Sequence, residues 1–217
     1  MIRVLAKLVF AIGTGLAFNG YAGTFVRDDI IADPDPARFT VCYDHGCASL
    51  ATVTLSAEQW HGLSSVFAKP AATAEEERGQ IRSAIASFET VVGALTGTAN
   101  DKGGNWPGFG LARQMDCIDE STNTTIYLRM LQKYGLLRWH SVEEPATRWP
   151  LFSWVHSTAV IRERESRERW AVDSWFLDNG EPPFVLPLSV WRKGWKPFQP
   201  DSLDSLDSGG SARIGPE

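Results

Sequence analysis

The sequence predicts an α+β domain in which helices come first and an antiparallel sheet follows. Three observations carry this. Residues 74–96 place Ile81, Ile85, Phe88, Val92 and Leu95 at helical spacing behind a capping sequence. Residues 117–134 repeat that pattern behind Asp116. From Leu136 onward the chain changes to β-rich runs, two of them joined by a short polar turn around residues 164–167. Helices followed by strands that pair as neighbours give the α+β class.

The first element is a leader rather than part of the fold. Arg3 and Lys7 supply positive charge, Leu8 to Phe18 an apolar stretch, and Gly20 and Ala22 small residues for cleavage. The stretch is too short for a spanning helix, which needs about 20 residues. Residues 1–22 are therefore read as a signal peptide, residues 23–198 as one domain, and residues 199–217 as a polar, Gly- and Ser-rich disordered tail. A periplasmic or secreted product is expected, with no membrane span once the signal is removed.

Next come two β-rich runs, FTV and ATVTL, separated by Cys42, a turn-like Tyr43 to Gly46, and Cys47. A hairpin there sets the two cysteines opposite each other at disulfide distance. Metal ligation with His45 is the alternative, but two thiols and one imidazole are too few for a closed zinc site. Ser56 and Gln59 form a capping box that opens a short helix through Phe67, and Thr73 and Glu76 open the long helix. Residues 97–110 form a Gly-rich loop containing Trp106. Asp116 is the expected N-cap of the next helix, so Cys117 is its first residue, and Gly135 closes it. Ile118, Thr122, Thr125, Ile126, Met130 and Tyr134 make its expected buried stripe. Strands are expected at 136–142, 154–163 and 168–176. Pro182, Pro183 and Pro187 then interrupt regular structure.

The formal net charge is −5 over 217 residues, and excluding Arg3 and Lys7 makes the remainder more acidic. Nucleic acid is excluded as a partner on that ground, because phosphate binding needs a basic patch. Three cysteines in an exported chain leave one over after the Cys42–Cys47 pair. A lone Cys117 at a helix start is a candidate nucleophile, since unpaired backbone N–H groups there stabilise a thiolate and an oxyanion. An inert buried cysteine is the alternative.

A nucleophilic thiol needs a base and a group to orient the base. His45 and His61 read as surface residues and His140 as structural. His156 opens a strand whose hairpin partner carries Asp173. With the turn centred between Arg164 and Glu165, the two stand directly opposite, their Cβ atoms about 5 Å apart. No G-x-S-x-G elbow, Walker loop, dinucleotide fingerprint or H-E-x-x-H occurs. Seven of the nine tryptophans lie from Trp139 onward, which fits either an aromatic cleft or core packing.

The stretch DCIDESTNTTIYLRMLQKYGLL, followed by VHSTAVIRERESRERWAVDSW, resembles the transglutaminase-like superfamily in the order of its Cys helix, His strand and Asp strand. The resemblance covers about residues 105–180 and is nearest to the bacterial transglutaminase-like cysteine peptidases, where an acid often follows the Cys by two positions, as Asp119 does. Thr158 and Ser174 depart from that pattern, which often has an aromatic and a proline there. The resemblance implies a papain/transglutaminase-like fold, the Cys helix packed on an antiparallel sheet, and a catalytic triad of Cys117, His156 and Asp173. It also implies an oxyanion site at the backbone N–H of Cys117, assisted by Gln114 or a group of the Trp106 loop. A protein or peptide substrate and no cofactor are expected, with a divalent cation left open. A catalytically inactive envelope protein of the same fold is the alternative.

Overall fold

The computed structural model describes residues 27–104, 111–149 and 155–198. The expected leader and tail lie outside the described residues. Strands β1 (Phe39–Tyr43) and β2 (Ser49–Val53) form an antiparallel hairpin. Helix α1 (Ala57–Ser64) follows, with the reciprocal Ser56–Gln59 capping box at its start and a 3-10 turn over Ser65–Phe67 at its end. Helix α2 (Ala74–Thr96) begins at the Thr73 cap and stops at left-handed Gly97, as its periodicity and flanking residues require. Helix α3 (Cys117–Lys133) is capped by Asp116, whose side chain accepts from the N–H groups of Ile118 and Asp119. Gly135, at φ 69°, ends it: its N–H donates to Gln132 and that of Leu136 to Leu131.

The remaining strands form one antiparallel sheet in the order β3-β4-β5-β6, from β3 (His140–Arg148), β4 (His156–Glu163), β5 (Arg169–Asp173) and β6 (Phe184–Pro187). A one-turn helix, α4 (Leu188–Trp191), continues from β6. The α+β arrangement is as expected. Two details of the sheet differ. The strand expected at 136–142 runs over 140–148 and takes in Pro145 at an irregularity between Glu143 and Ala146. Residues 184–187, expected to be broken by prolines, pair with β5. Both strands lie at sheet edges, where a missing N–H is tolerated.

The two faces of the sheet are packed differently. Ala159, Ile161 and Val172 join the main core, which holds Ile81, Ile85 and Phe88 of α2 and Ile126, Leu128 and Met130 of α3. Each such side chain contributes about 1.5–3 kcal/mol by leaving water. The alternate residues Val160 and Ala171 face the other way, with Leu188 and Trp191. His156 and Asp173 fall in that second set by strand parity. Among the described residues, no helix is long and apolar enough to cross a membrane.

Tyr134, expected in the buried stripe of α3, is exposed at its C-cap. The polar run from Ser121 to Thr125 is buried throughout. It is satisfied within the helix and by neighbouring segments: Thr125 donates to the carbonyl of Ser121, Asn123 bonds both backbone groups of Cys42, and Thr124 meets Ser174. Those bonds offset a stretch of poor helix propensity.

Candidate active site

Cys42 and Cys47 are joined as a disulfide, Cα atoms 4.6 Å apart. They are not cross-strand partners, since Cys42 pairs with Leu50 and Cys47 lies in the turn. Asp44, His45, Gly46 and Cys47 all have positive φ, 56–67°. That run curls the backbone N–H groups inward, and acids of α3 fill the curl. Asp119 accepts from His45 N–H (2.8 Å) and Cys47 N–H (2.6 Å), and Asp116 from Gly46 N–H (3.0 Å). The disulfide loop is thereby docked on the first turn of the helix that Cys117 heads. Cys42, Cys47 and Asp119 cluster closely, but sulfurs spent in a disulfide are not metal ligands.

Cys117 is the only free cysteine of the chain and is buried. Its sulfur lies 3.9 Å from the carbonyl oxygen of Val155, to which the thiol donates. The backbone N–H of Ser157 also bonds it, so the sulfur touches the strand on both sides of His156. Burial pushes the thiol up to about 12, with help from the charges of Asp116 and Asp173 and against the Ser157 bond. The resting group is a neutral thiol.

His156 donates or accepts through Nε2 at 2.8 Å from Oδ2 of Asp173, and both side chains are buried. The register differs from the expected one. Ala159 pairs with Val172 and Arg162 with Arg169, so Asp173 sits diagonal to His156 rather than opposite it. A two-residue slip keeps every side chain on its face, and the diagonal neighbour is still within reach of an imidazole. Nδ1 of His156 is buried and makes no hydrogen bond among the described residues. Trp175, Phe176 and Trp191 surround the imidazole, with ring centroids 4.9, 5.1 and 5.4 Å away. Part of the tryptophan excess is therefore packed on the histidine itself.

Gln114, expected at the oxyanion site, is buried. Its side-chain oxygen accepts from Lys102 N–H (3.2 Å) and its nitrogen donates to Asn100 (3.2 Å), tying it to the loop before the site. Trp106 lies outside the described residues. Gly103 lets this loop approach residues 174–178, because a Cβ there would stand 2.5 Å from the backbone of Leu177. His61 is exposed as expected, and His140 has the structural role expected of it, against Glu77 of α2.

Sequence reasoning missed the carboxyl groups behind α3. Glu89 of α2, Asp101 of the loop and Glu120 of α3 are all buried. Burial raises Glu89 and Asp101 to about 7, and Glu120 well above the ordinary carboxyl range; Asp119 rises to about 7 from burial and Asp116. Groups raised on folding from ordinary values of 3.8 and 4.5 contribute stability that is full below about pH 4 and lost as pH rises through about 7. The melting temperature is accordingly expected to fall by on the order of 5 °C between pH 5 and pH 8. Glu120→Gln should flatten that dependence in a calorimetric series. An unchanged slope in the variant would mean that Glu120 does not take part.

Compared with known protein families, curated proteins and solved structures, the chain matches none.

Proposed function

We propose that the protein is an exported cysteine hydrolase or acyltransferase of papain/transglutaminase-like fold that acts on amide bonds of a protein or peptide through Cys117, His156 and Asp173. One observation carries this reading. The His156–Asp173 bond uses Nε2 and leaves Nδ1 buried and unpaired, while the sulfur of a helix-leading cysteine touches the backbone on either side of that histidine.

The chemistry then runs from a neutral pair. Rotation of the thiol away from the Val155 carbonyl presents its proton to Nδ1, and the sulfur attacks the carbonyl carbon as that proton moves. The oxyanion is held by the backbone N–H of Cys117 at the start of α3. His156 returns the proton to the nitrogen as the C–N bond breaks and the amine leaves. Water, or a second amine, adds to the thioester; His156 takes its proton and passes it to sulfur as the S–C bond breaks. Asp173 keeps the imidazole in the tautomer with Nε2 protonated. The Cys42–Cys47 disulfide supports an oxidising compartment.

A second reading, an inactive binding or structural protein of the same fold, is favoured by the raised pKa of Cys117 and the acids near it. The two separate in one experiment. A complex peptide mixture incubated with the intact protein, with Cys117→Ala alongside, is read by mass spectrometry for new termini or new amide links. Products formed only by the intact protein are expected. Equal product profiles for both proteins would favour the inactive reading.

A further inference from the structure

We infer that Trp191 is a positioning residue for the His156–Asp173 pair, gripped from behind by Arg148; the inference rests on the triad reading above. Indole Nε1 donates to Oδ2 of Asp173 at 2.6 Å, the same oxygen that meets Nε2 of His156 at 2.8 Å. An indole N–H only donates, so the direction of that bond is fixed whatever the histidine does. A short bond to a carboxylate favours the ionised acid. An ionised Asp173 in turn requires that Nε2 carry the proton, which leaves Nδ1 as the accepting nitrogen. Trp191 thus acts on the base through the acid, and its buried ring also lies against the imidazole.

The indole is held where this needs it. Leu188 packs with it against Val160 and Ala171 on the far face of the sheet from α3. Arg148, whose backbone pairs with His156 across β3 and β4, lays its guanidinium over the Trp191 ring at 4.4 Å. The same guanidinium donates to the carbonyls of Trp191 and, at 2.9 Å, Trp195. Arg148 is buried, and burial lowers its pKa against the opposing pull of Asp173. A cation so placed fixes the last turn of α4 relative to the strand that begins at the base.

Filling the small core is a simpler job for a tryptophan, and the experiment separates the two. Trp191→Phe removes the N–H and keeps a ring, whereas Leu188→Ala opens the same core and keeps the N–H. Iodoacetamide alkylation of Cys117 is followed against pH in both, with melting curves recorded alongside. Trp191→Phe should slow alkylation at neutral pH about tenfold to hundredfold, the effect of one charge-assisted hydrogen bond, and displace the pH profile. Leu188→Ala should lower the melting temperature and leave the profile in place. A normal profile in Trp191→Phe, or an equal displacement in Leu188→Ala, overturns the inference. Should Trp191→Phe not fold, indole NMR of protein labelled with 15N-tryptophan decides: one downfield N–H must move upfield in Asp173→Asn, and no such response counts against it. Loss of any dependence on His156 in the wild type would instead remove the triad reading beneath it.

Discussion

Exchanging His156 for alanine is expected to slow the alkylation of Cys117 at neutral pH by about a hundredfold to a thousandfold, the contribution of a positioned base. The expectation follows from the state of the thiol. Burial and two nearby carboxylates push Cys117 up to about 12, so almost none of it is thiolate at neutral pH without a proton acceptor. Nδ1 of His156, buried and without a hydrogen bond among the described residues, is the acceptor that the proposed mechanism assigns. The fold should survive the substitution. His156 lies at the first position of β4, and the sheet hydrogen bonds there belong to the backbone. Asp173→Asn is expected to act in the same direction, because an amide can stabilise the wrong tautomer of the ring. Both rates are read by mass spectrometry of the alkylated peptide, with melting curves to show that the protein is still folded.

The second large effect is on stability. Glu77→Ala is expected to cost about 3–5 kcal/mol, a fall of roughly 10 °C or more in melting temperature for a domain of this size. Glu77 sits in the first turns of α2, yet its carboxylate is buried and receives the chain where it enters the sheet. The N–H groups of Arg138 (2.6 Å), Trp139 (3.0 Å) and His140 (2.9 Å) all donate to it, and Nδ1 of His140 lies 2.9 Å away. Alanine would leave those groups buried and unpaired. Burial alone would raise the Glu77 pKa, but the His140 ring and the N–H groups of Trp139 and Arg138 outweigh it and hold the group below its ordinary value. A carboxylate depressed on folding contributes stability above its ordinary pKa of 4.5 and loses it as pH falls through the folded value. Wild type should therefore lose stability on acidification in that range, and Glu77→Gln should lose less.

Legibility in the sequence followed the range of the forces involved. Helix α2 could be bounded because Thr73, the 3.6-residue apolar spacing and Gly97 are local signals that agree. The start of α3 at Cys117 followed from Asp116 in the same way. The His156–Asp173 contact was found through a wrong register. The turn carries a left-handed Arg167 (φ 64°) and no Gly or Asn to announce it, so its centre could not be placed to the residue. Period-two alternation rescued the face, and side-chain reach did the rest. Pro187 hid one strand segment because prolines read as breakers unless the strand is known to be an edge, and the strand expected at 136–142 runs instead over 140–148, past Pro145. Glu77, Glu89 and Trp191 gave no signal at all. Each has its role through partners 60 or more residues away, or, for Trp191, through an indole hydrogen bond that composition does not mark.

The pH dependence of Cys117 alkylation in the wild-type protein tests most directly whether sulfur and imidazole work as one unit. The rate should climb at acid pH and level off by neutral pH, with the plateau gone in His156→Ala. A rate that keeps rising about tenfold per pH unit through pH 9 in both proteins, as an isolated thiol with a pKa near 12 would give, contradicts it.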